Sequence, residues 1–175
     1  MNIHEIIKFI KSSDENKVIL FNSADLPKVS WTEILEFVNK HKDERVGQNI
    51  VPNVHAFFYN RAERIRSVNK IVKVIHSNFN LDHTDDETLT SQLFGTTIVE
   101  DGTSIKKHHD SENNLFWQLK GRSRWMFFDS YENVKPIMDI IVEEGDMIFI
   151  PSNTIHYVES ESPRAGVAIL FNKEK

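Results

Sequence analysis

Residues 104–128 read Ser-Ile-Lys-Lys-His108-His109-Asp110-Ser-Glu-Asn-Asn114-Leu-Phe116-Trp-Gln118-Leu-Lys120-Gly121-Arg-Ser123-Arg124-Trp125-Met-Phe-Phe. On a β-strand the side chains at i and i+2 share a face, so His108 and Asp110 converge and His109 turns away. A second imidazole follows downstream, in Ile150-Pro151-Ser152-Asn153-Thr154-Ile155-His156. Two histidines and one carboxylate on one face, with the other positions open, are the ligand set of non-haem Fe(II) centres that handle O₂. A lone His-x-Asp is ordinarily a surface ion pair or a cap, and the weight of the reading rests on the three together. His4, His41, His55, His76 and His83 fall in helical or polar contexts and read as solvated or hydrogen-bonded.

Outward from this stretch, short β-type runs continue to the end of the chain: 91–99, 104–110, 114–119, 124–129, 138–142, 146–150, 155–159 and 164–172. Asp101-Gly102, Lys120-Gly121, Asn133 to Pro136, Glu144-Gly145-Asp146, Pro151 and Ser160 to Pro163 break them. Many short strands at this spacing predict a sandwich or small barrel. The turn at Glu143–Asp146, the apolar run to Ile150 and Pro151 set His156 at the start of the next strand.

The first half is different. Ile3, Ile6, Ile7 and Ile10 predict an amphipathic helix over 3–12. Ser30-x-x-Glu33 reads as a capping box, with Val29 and Ile34 as a hydrophobic staple, ahead of a helix to about His41. That helix would turn Trp31, Ile34, Leu35 and Val38 inward. Residues 17–21 and 54–59 read as strands, and 40–48 and 78–87 as polar connections. Asn60-x-x-Glu63 reads as a second cap, with Ile65, Val68, Ile71, Val72 and Ile75 as the face of a helix to about Ser77. The expected class is α+β: one domain, 1–175, with a helical and strand part over 1–90 and a β-barrel over 91–175.

The 175 residues carry a net charge of −5 and no cysteine. That argues against phosphate-backbone binding and excludes disulfides and thiolate metal sites, so nucleic acid is an unexpected partner. No run has the length of a membrane span, and the N-terminus lacks a signal-peptide pattern. The expected compartment is the cytoplasm.

His108-x-Asp110-x-x-x-Asn114-x-Phe116-x-Gln118-x-Lys120-Gly121-x-x-Arg124 resembles the JmjC-type Fe(II)/2-oxoglutarate oxygenases, among them the asparaginyl hydroxylase of hypoxia-inducible factor and the ribosomal oxygenases. Gly145-Asp146-x-Ile148-x-Ile150-Pro151 followed by His156 matches the same family, as does the closing strand ending in Asn172. The likeness covers about residues 93–172. It implies a double-stranded β-helix of the cupin or jelly-roll kind. His108, Asp110 and His156 would hold Fe(II), with 2-oxoglutarate and O₂ as co-substrates. It also implies hydroxylation of a protein or peptide side chain. The carboxylate at Asp110 favours hydroxylation, or demethylation through hydroxylation, over halogenation, for which related enzymes carry a small residue there.

One position departs from the family. Five residues after Gln118 the family carries a Lys or Arg that pairs with the distal carboxylate of 2-oxoglutarate; here Ser123 stands there. A buried carboxylate without a cation is costly, so a replacement is expected. Arg164 is the candidate: other branches of the superfamily place an arginine near this point, and alternation from Asn172 through Leu170, Ala168 and Gly166 turns it inward. The alternative is a solvated charge in the 160–164 loop. Ser123 would donate to the same carboxylate. Asn114, Tyr59 and Asn172 are further candidates for that pocket, the asparagines equally for satisfying backbone groups. Phe116 and Gln118 share the inward parity and are candidate substrate-pocket walls. Trp117, Trp125, Phe127 and Phe128 read as core. Lys106, Lys107, Arg122 and Arg124 read as a solvated basic face or a contact for an acidic substrate.

The chain ends just past the last strand, without the C-terminal helices that dimerise in those relatives. A small molecule or free amino acid is therefore the second substrate class. Two other functions stay open: a metal-binding cupin enzyme that does not use 2-oxoglutarate, and a non-catalytic cupin binding module.

Overall fold

The computed structural model describes residues 1–13, 16–44, 54–59, 62–79, 91–96, 103–160 and 162–171. Three helices precede most of the strands: α1 Ile3–Ser12, α2 Trp31–Lys40 and α3 Arg66–Asn78. The strands are β1 Ile19–Phe21, β2 Val54–Tyr59, β3 Ser91–Thr96, β4 Thr103–His108, β5 Asn113–Lys120, β6 Ser123–Phe128, β7 Met138–Val142, β8 Met147–Ile150, β9 Ile155–Ser160 and β10 Arg164–Phe171. No described helix is long and apolar enough to cross a membrane.

Helix α1 begins where Asn2 accepts from the Glu5 amide at 3.1 Å and Glu5 accepts from the Asn2 amide at 2.8 Å. Such a cap contributes about 1 kcal/mol. Each of the four buried isoleucines, Ile3, Ile6, Ile7 and Ile10, contributes roughly 2 kcal/mol. Packing therefore outweighs capping, and a helix this short needs it.

Helix α2 corrects two expectations. Ser30 caps it by accepting from the Glu33 amide at 3.1 Å, but the Glu33 carboxylate reaches across to Ser67, bonding its amide at 2.8 Å and its hydroxyl at 2.9 Å. The reciprocal half of the box is thus spent on tying α2 to α3. The buried residues of α2 are Ile34 and Phe37, whereas Trp31 and Leu35 are exposed. Helix α3 buries the expected Val68, Ile71, Val72 and Ile75. It starts later than the Asn60 signal implied, with Ile65 at the cap and a 3₁₀ turn over Ala62–Arg64; Asn60 itself lies outside the described residues. His76 is buried on this helix rather than solvated.

The strands form two antiparallel sheets. One has the order β1-β8-β5-β10-β3-β2, the other β4-β9-β6-β7. This is the double-stranded β-helix expected above. Alternation divides the core in two. Leu115, Trp117 and Leu119 of β5 and Ala165, Val167, Ile169 and Phe171 of β10 join the isoleucines of α1 and α3 on the outer face of the larger sheet. The opposite faces look into the barrel. There Phe116, Trp125, Phe127, Val142, Ile148, Ile150, Val158 and Ala168 form a second core.

Strand register stacks this interior in rows. His156 lies opposite His108 on one side and Phe127 on the other. One row deeper, Trp125 faces Val158, and Phe116 lies between Ala168 and Ile148. Deeper again, Ser123 faces Ser160 and Gln118 faces Gly166. Two glycines permit this. A Cβ on Gly166 would sit 2.2 Å from the Phe116 ring. Gly121, at φ +67°, turns β5 into β6, and a Cβ there would sit 2.2 Å from the Pro163 carbonyl.

Candidate metal centre

His108 closes β4, Asp110 follows it, and His156 is the second residue of β9. One donor atom from each lies within 4.8 Å of the others. His108 Nε2 is 3.8 Å from Asp110 Oδ1, and the two imidazole centroids are 4.2 Å apart. Donors about 2.1 Å from a shared divalent ion stand about 3 Å from one another, so small side-chain rotations close the set.

What surrounds the trio decides which nitrogens face its centre. His108 Nδ1 donates to the Lys106 carbonyl at 2.7 Å, and His156 Nδ1 to the Thr154 carbonyl at 2.9 Å. A carbonyl only accepts, so both rings carry the proton on Nδ1 and present Nε2 as a lone pair. That is the tautomer a metal-binding histidine needs, fixed by the partner that usually fixes it. Asp110 is held as well: Asn114 Nδ2 donates to its Oδ2 at 3.3 Å. Its backbone carbonyl accepts from the Asn153 amide at 2.7 Å, and Asn113 Oδ1 accepts from the Ser152 amide at 3.1 Å. These two bonds pin the turn before His156 to the turn that carries Asp110. Two distant stretches of chain are thereby made one site.

His156 is buried, with Trp125 stacked on its ring at 5.5 Å. Burial, and then the neighbouring His108, push its pKa down to about 4, so the ring is neutral at pH 7. His109 points away and pairs through Nδ1 with the Tyr131 hydroxyl at 2.6 Å.

At the floor of the barrel lies a second polar group. Arg164 is 1% exposed, and burial alone pushes its pKa down to about 10, which leaves it charged at neutral pH. The solvated-loop alternative is therefore excluded. Its Nε donates to Ser160 Oγ at 3.2 Å. Ser123 Oγ donates to Gln118 Oε1 at 2.8 Å and accepts from Trp125 Nε1 at 2.9 Å. Its one proton is directed to Gln118. Gln118 Nε2 donates to the Lys120 carbonyl at 2.6 Å. Gln118 and Phe116 are buried inside the barrel. Asn114 sits beside Asp110, nearer the mouth than the floor. Tyr59 contributes its backbone to β2 opposite Gln92, and Asn172 lies outside the described residues.

The basic group also resolves. Arg124 forms a two-pronged pair with Asp139, at 2.9 and 2.5 Å, and lies 3.7 Å from Glu159. Lys107 donates to the carbonyls of Tyr131 and Asn133 and lies over the Phe128 ring at 3.6 Å. Arg124 and Lys107 are therefore engaged by their own chain, and spacing in the sequence carries no signal of that.

Comparisons with known proteins agree with this geometry. The sequence model of the JmjC domain family matches residues 74–175. No curated protein matches the sequence. Among solved structures, the ribosomal oxygenase YcfD of Escherichia coli is similar with TM-score 0.62 at 12% identity, over 96% of this chain and 51% of that one. The same protein in complex with cobalt and 2-oxoglutarate gives TM-score 0.57 at 14% identity, over the same shares. At these identities the likeness is one of fold, and the chain spans about half the length of YcfD.

Proposed function

This chain belongs to the JmjC domain family, and from that premise we propose that it is an Fe(II)- and 2-oxoglutarate-dependent hydroxylase. The observation that carries the reading is the trio His108, Asp110 and His156, with both Nε2 atoms turned inward by backbone carbonyls. These donors suit Fe(II), and their arrangement on one side leaves the remaining positions for a 2-oxo acid and O₂. The similarity to YcfD, whose structures include complexes with cobalt and succinic acid and with cobalt and 2-oxoglutarate, supports the same assignment.

When bound, the iron would supply the activation of O₂, one oxygen atom going to 2-oxoglutarate as it becomes succinate and CO₂ and the other to a C–H bond of the substrate. The chain's residues do the rest. His108, Asp110 and His156 hold the metal, and Asn114 orients the carboxylate. Arg164 is the cation for the distal carboxylate, in place of the family residue that Ser123 replaces. A guanidinium already stripped of water is suited to that role, because a charged hydrogen bond in so dry a place is strong. The interior core excludes water beneath the metal. A protein or peptide side chain is the favoured substrate class; YcfD is described as a ribosomal oxygenase.

The test is direct. Fe(II), 2-oxoglutarate and O₂ are expected to give succinate with the wild-type chain, slowly even without substrate, and none with Asp110→Ala. Tight metal binding with no succinate favours a cupin enzyme of another chemistry, and no metal binding favours a binding module.

A further inference from the structure

We propose that Trp125, held in place by Ser123, controls which 2-oxo acid reaches Arg164; the inference rests on the oxygenase reading above. Its origin is the row between the metal trio and the floor. That row is filled by two rings, Phe116 and Trp125, 2% and 3% exposed, with centroids 4.8 Å apart. Phe116 has nowhere to retreat, because it lies against the backbone of Gly166. Trp125 is stacked on His156 above and hydrogen-bonded to Ser123 below.

Trp125 thus spans from a metal ligand to the level at which the Arg164 guanidinium bonds Ser160. An acid that chelates the metal and also carries a second carboxylate to Arg164 needs the space the indole fills. The ring must turn aside, and its bond to Ser123 must break. A short oxo acid without a second carboxylate, such as pyruvate, occupies only the metal's open positions and leaves the ring alone. The Ser123–Trp125 bond therefore weighs against the longer acid and not the shorter one. This gives the family departure at Ser123 a physical role. The position no longer supplies a cation. Its hydroxyl accepts from the indole and donates to Gln118, so the small residue holds the large one across the passage.

The experiment measures binding of 2-oxoglutarate and of pyruvate to the Mn(II)-loaded protein by calorimetry, without turnover. Ser123→Ala leaves the indole N–H without its acceptor in the closed position. It is expected to tighten 2-oxoglutarate binding roughly five- to tenfold, the weight of one neutral hydrogen bond, with pyruvate unchanged. Trp125→Phe, a smaller ring with no N–H, is expected to shift the ratio the same way, and Ser123→Thr, which keeps the hydroxyl, to restore the wild-type ratio. A general loosening of the barrel would instead move both acids together and Ser123→Thr with them. The same 2-oxoglutarate-to-pyruvate ratio in wild type, Ser123→Ala and Trp125→Phe overturns the proposal and leaves the oxygenase reading standing. Binding of 2-oxoglutarate by none of the Mn(II)-loaded proteins overturns both. Binding by the variants and not by the wild type supports the gate and contradicts 2-oxoglutarate as the wild-type co-substrate.

Discussion

The two ends of the barrel hold their polar groups in opposite ways. At the mouth, His108 and Asp110 are partly exposed, and each of the three candidate ligands has one nearby partner that fixes its orientation. At the floor, Gln118, Ser123 and Arg164 are sealed from solvent and bonded through neighbouring side chains and carbonyls. The mouth is built to leave donor positions open, and the floor to keep one positive charge dry. A metal needs the first arrangement and a carboxylate the second. The proposed ligand set and the proposed co-substrate anchor are thus separable parts, with the row that holds Trp125 between them.

That separation can be broken by experiment. The largest effect is expected from Asp110→Ala, which removes one donor of three from a partly exposed position. Metal affinity should fall more than about a hundredfold, beyond the usual cost of losing a supporting partner, with the melting temperature nearly unchanged. Calorimetric metal titration checks it. Next is pH. His156 is neutral when folded, with its pKa at about 4, against about 6.5 in the unfolded chain. The unfolded state takes up the proton first, so this stability is fully present above about pH 6.5 and is lost as pH falls towards 4. The metal-free protein should lose roughly 2–3 kcal/mol across that window, read from denaturant midpoints, with no further loss from this group below it. Third, Arg164→Ala should weaken 2-oxoglutarate binding about thirtyfold, the scale of a charged hydrogen bond, and leave metal affinity unchanged. If both affinities fall together, the two ends are not separable. The smallest effect belongs to Asn114→Ala, whose bond to Asp110 is long at 3.3 Å; metal affinity should fall about fivefold, measured in the same titration.

The same contrast explains what could be read in the sequence. The barrel was legible because its strands are short, alternating and separated by turns, and strands from β5 to β10 begin and end within a residue or so of expectation. The pairing of His108 with Asp110 was legible because the two meet by local spacing. Arg164 was reachable by counting inward positions back from Leu170, although counting did not reveal its depth. The use of Ser123 was only half legible: Trp125 shares its face two residues on, but Gln118 stands on the other sheet, and spacing alone does not show which groups the hydroxyl bonds. The face of α2 was misjudged for a similar reason. Trp31 and Phe37 compete for burial on a ten-residue helix, and the Glu33 bond to Ser67 ties that helix to α3. Periodicity alone does not weigh such a contact.

The proposed function depends on three side chains holding one iron while leaving room for a chelating oxo acid. Anaerobic titration of Fe(II) and then 2-oxoglutarate into the protein, followed by visible absorption, reads out both parts at once. A weak metal-to-ligand charge-transfer band is expected, saturating at one iron and one 2-oxoglutarate per chain. Stoichiometric iron binding with no band at saturating 2-oxoglutarate would refute it.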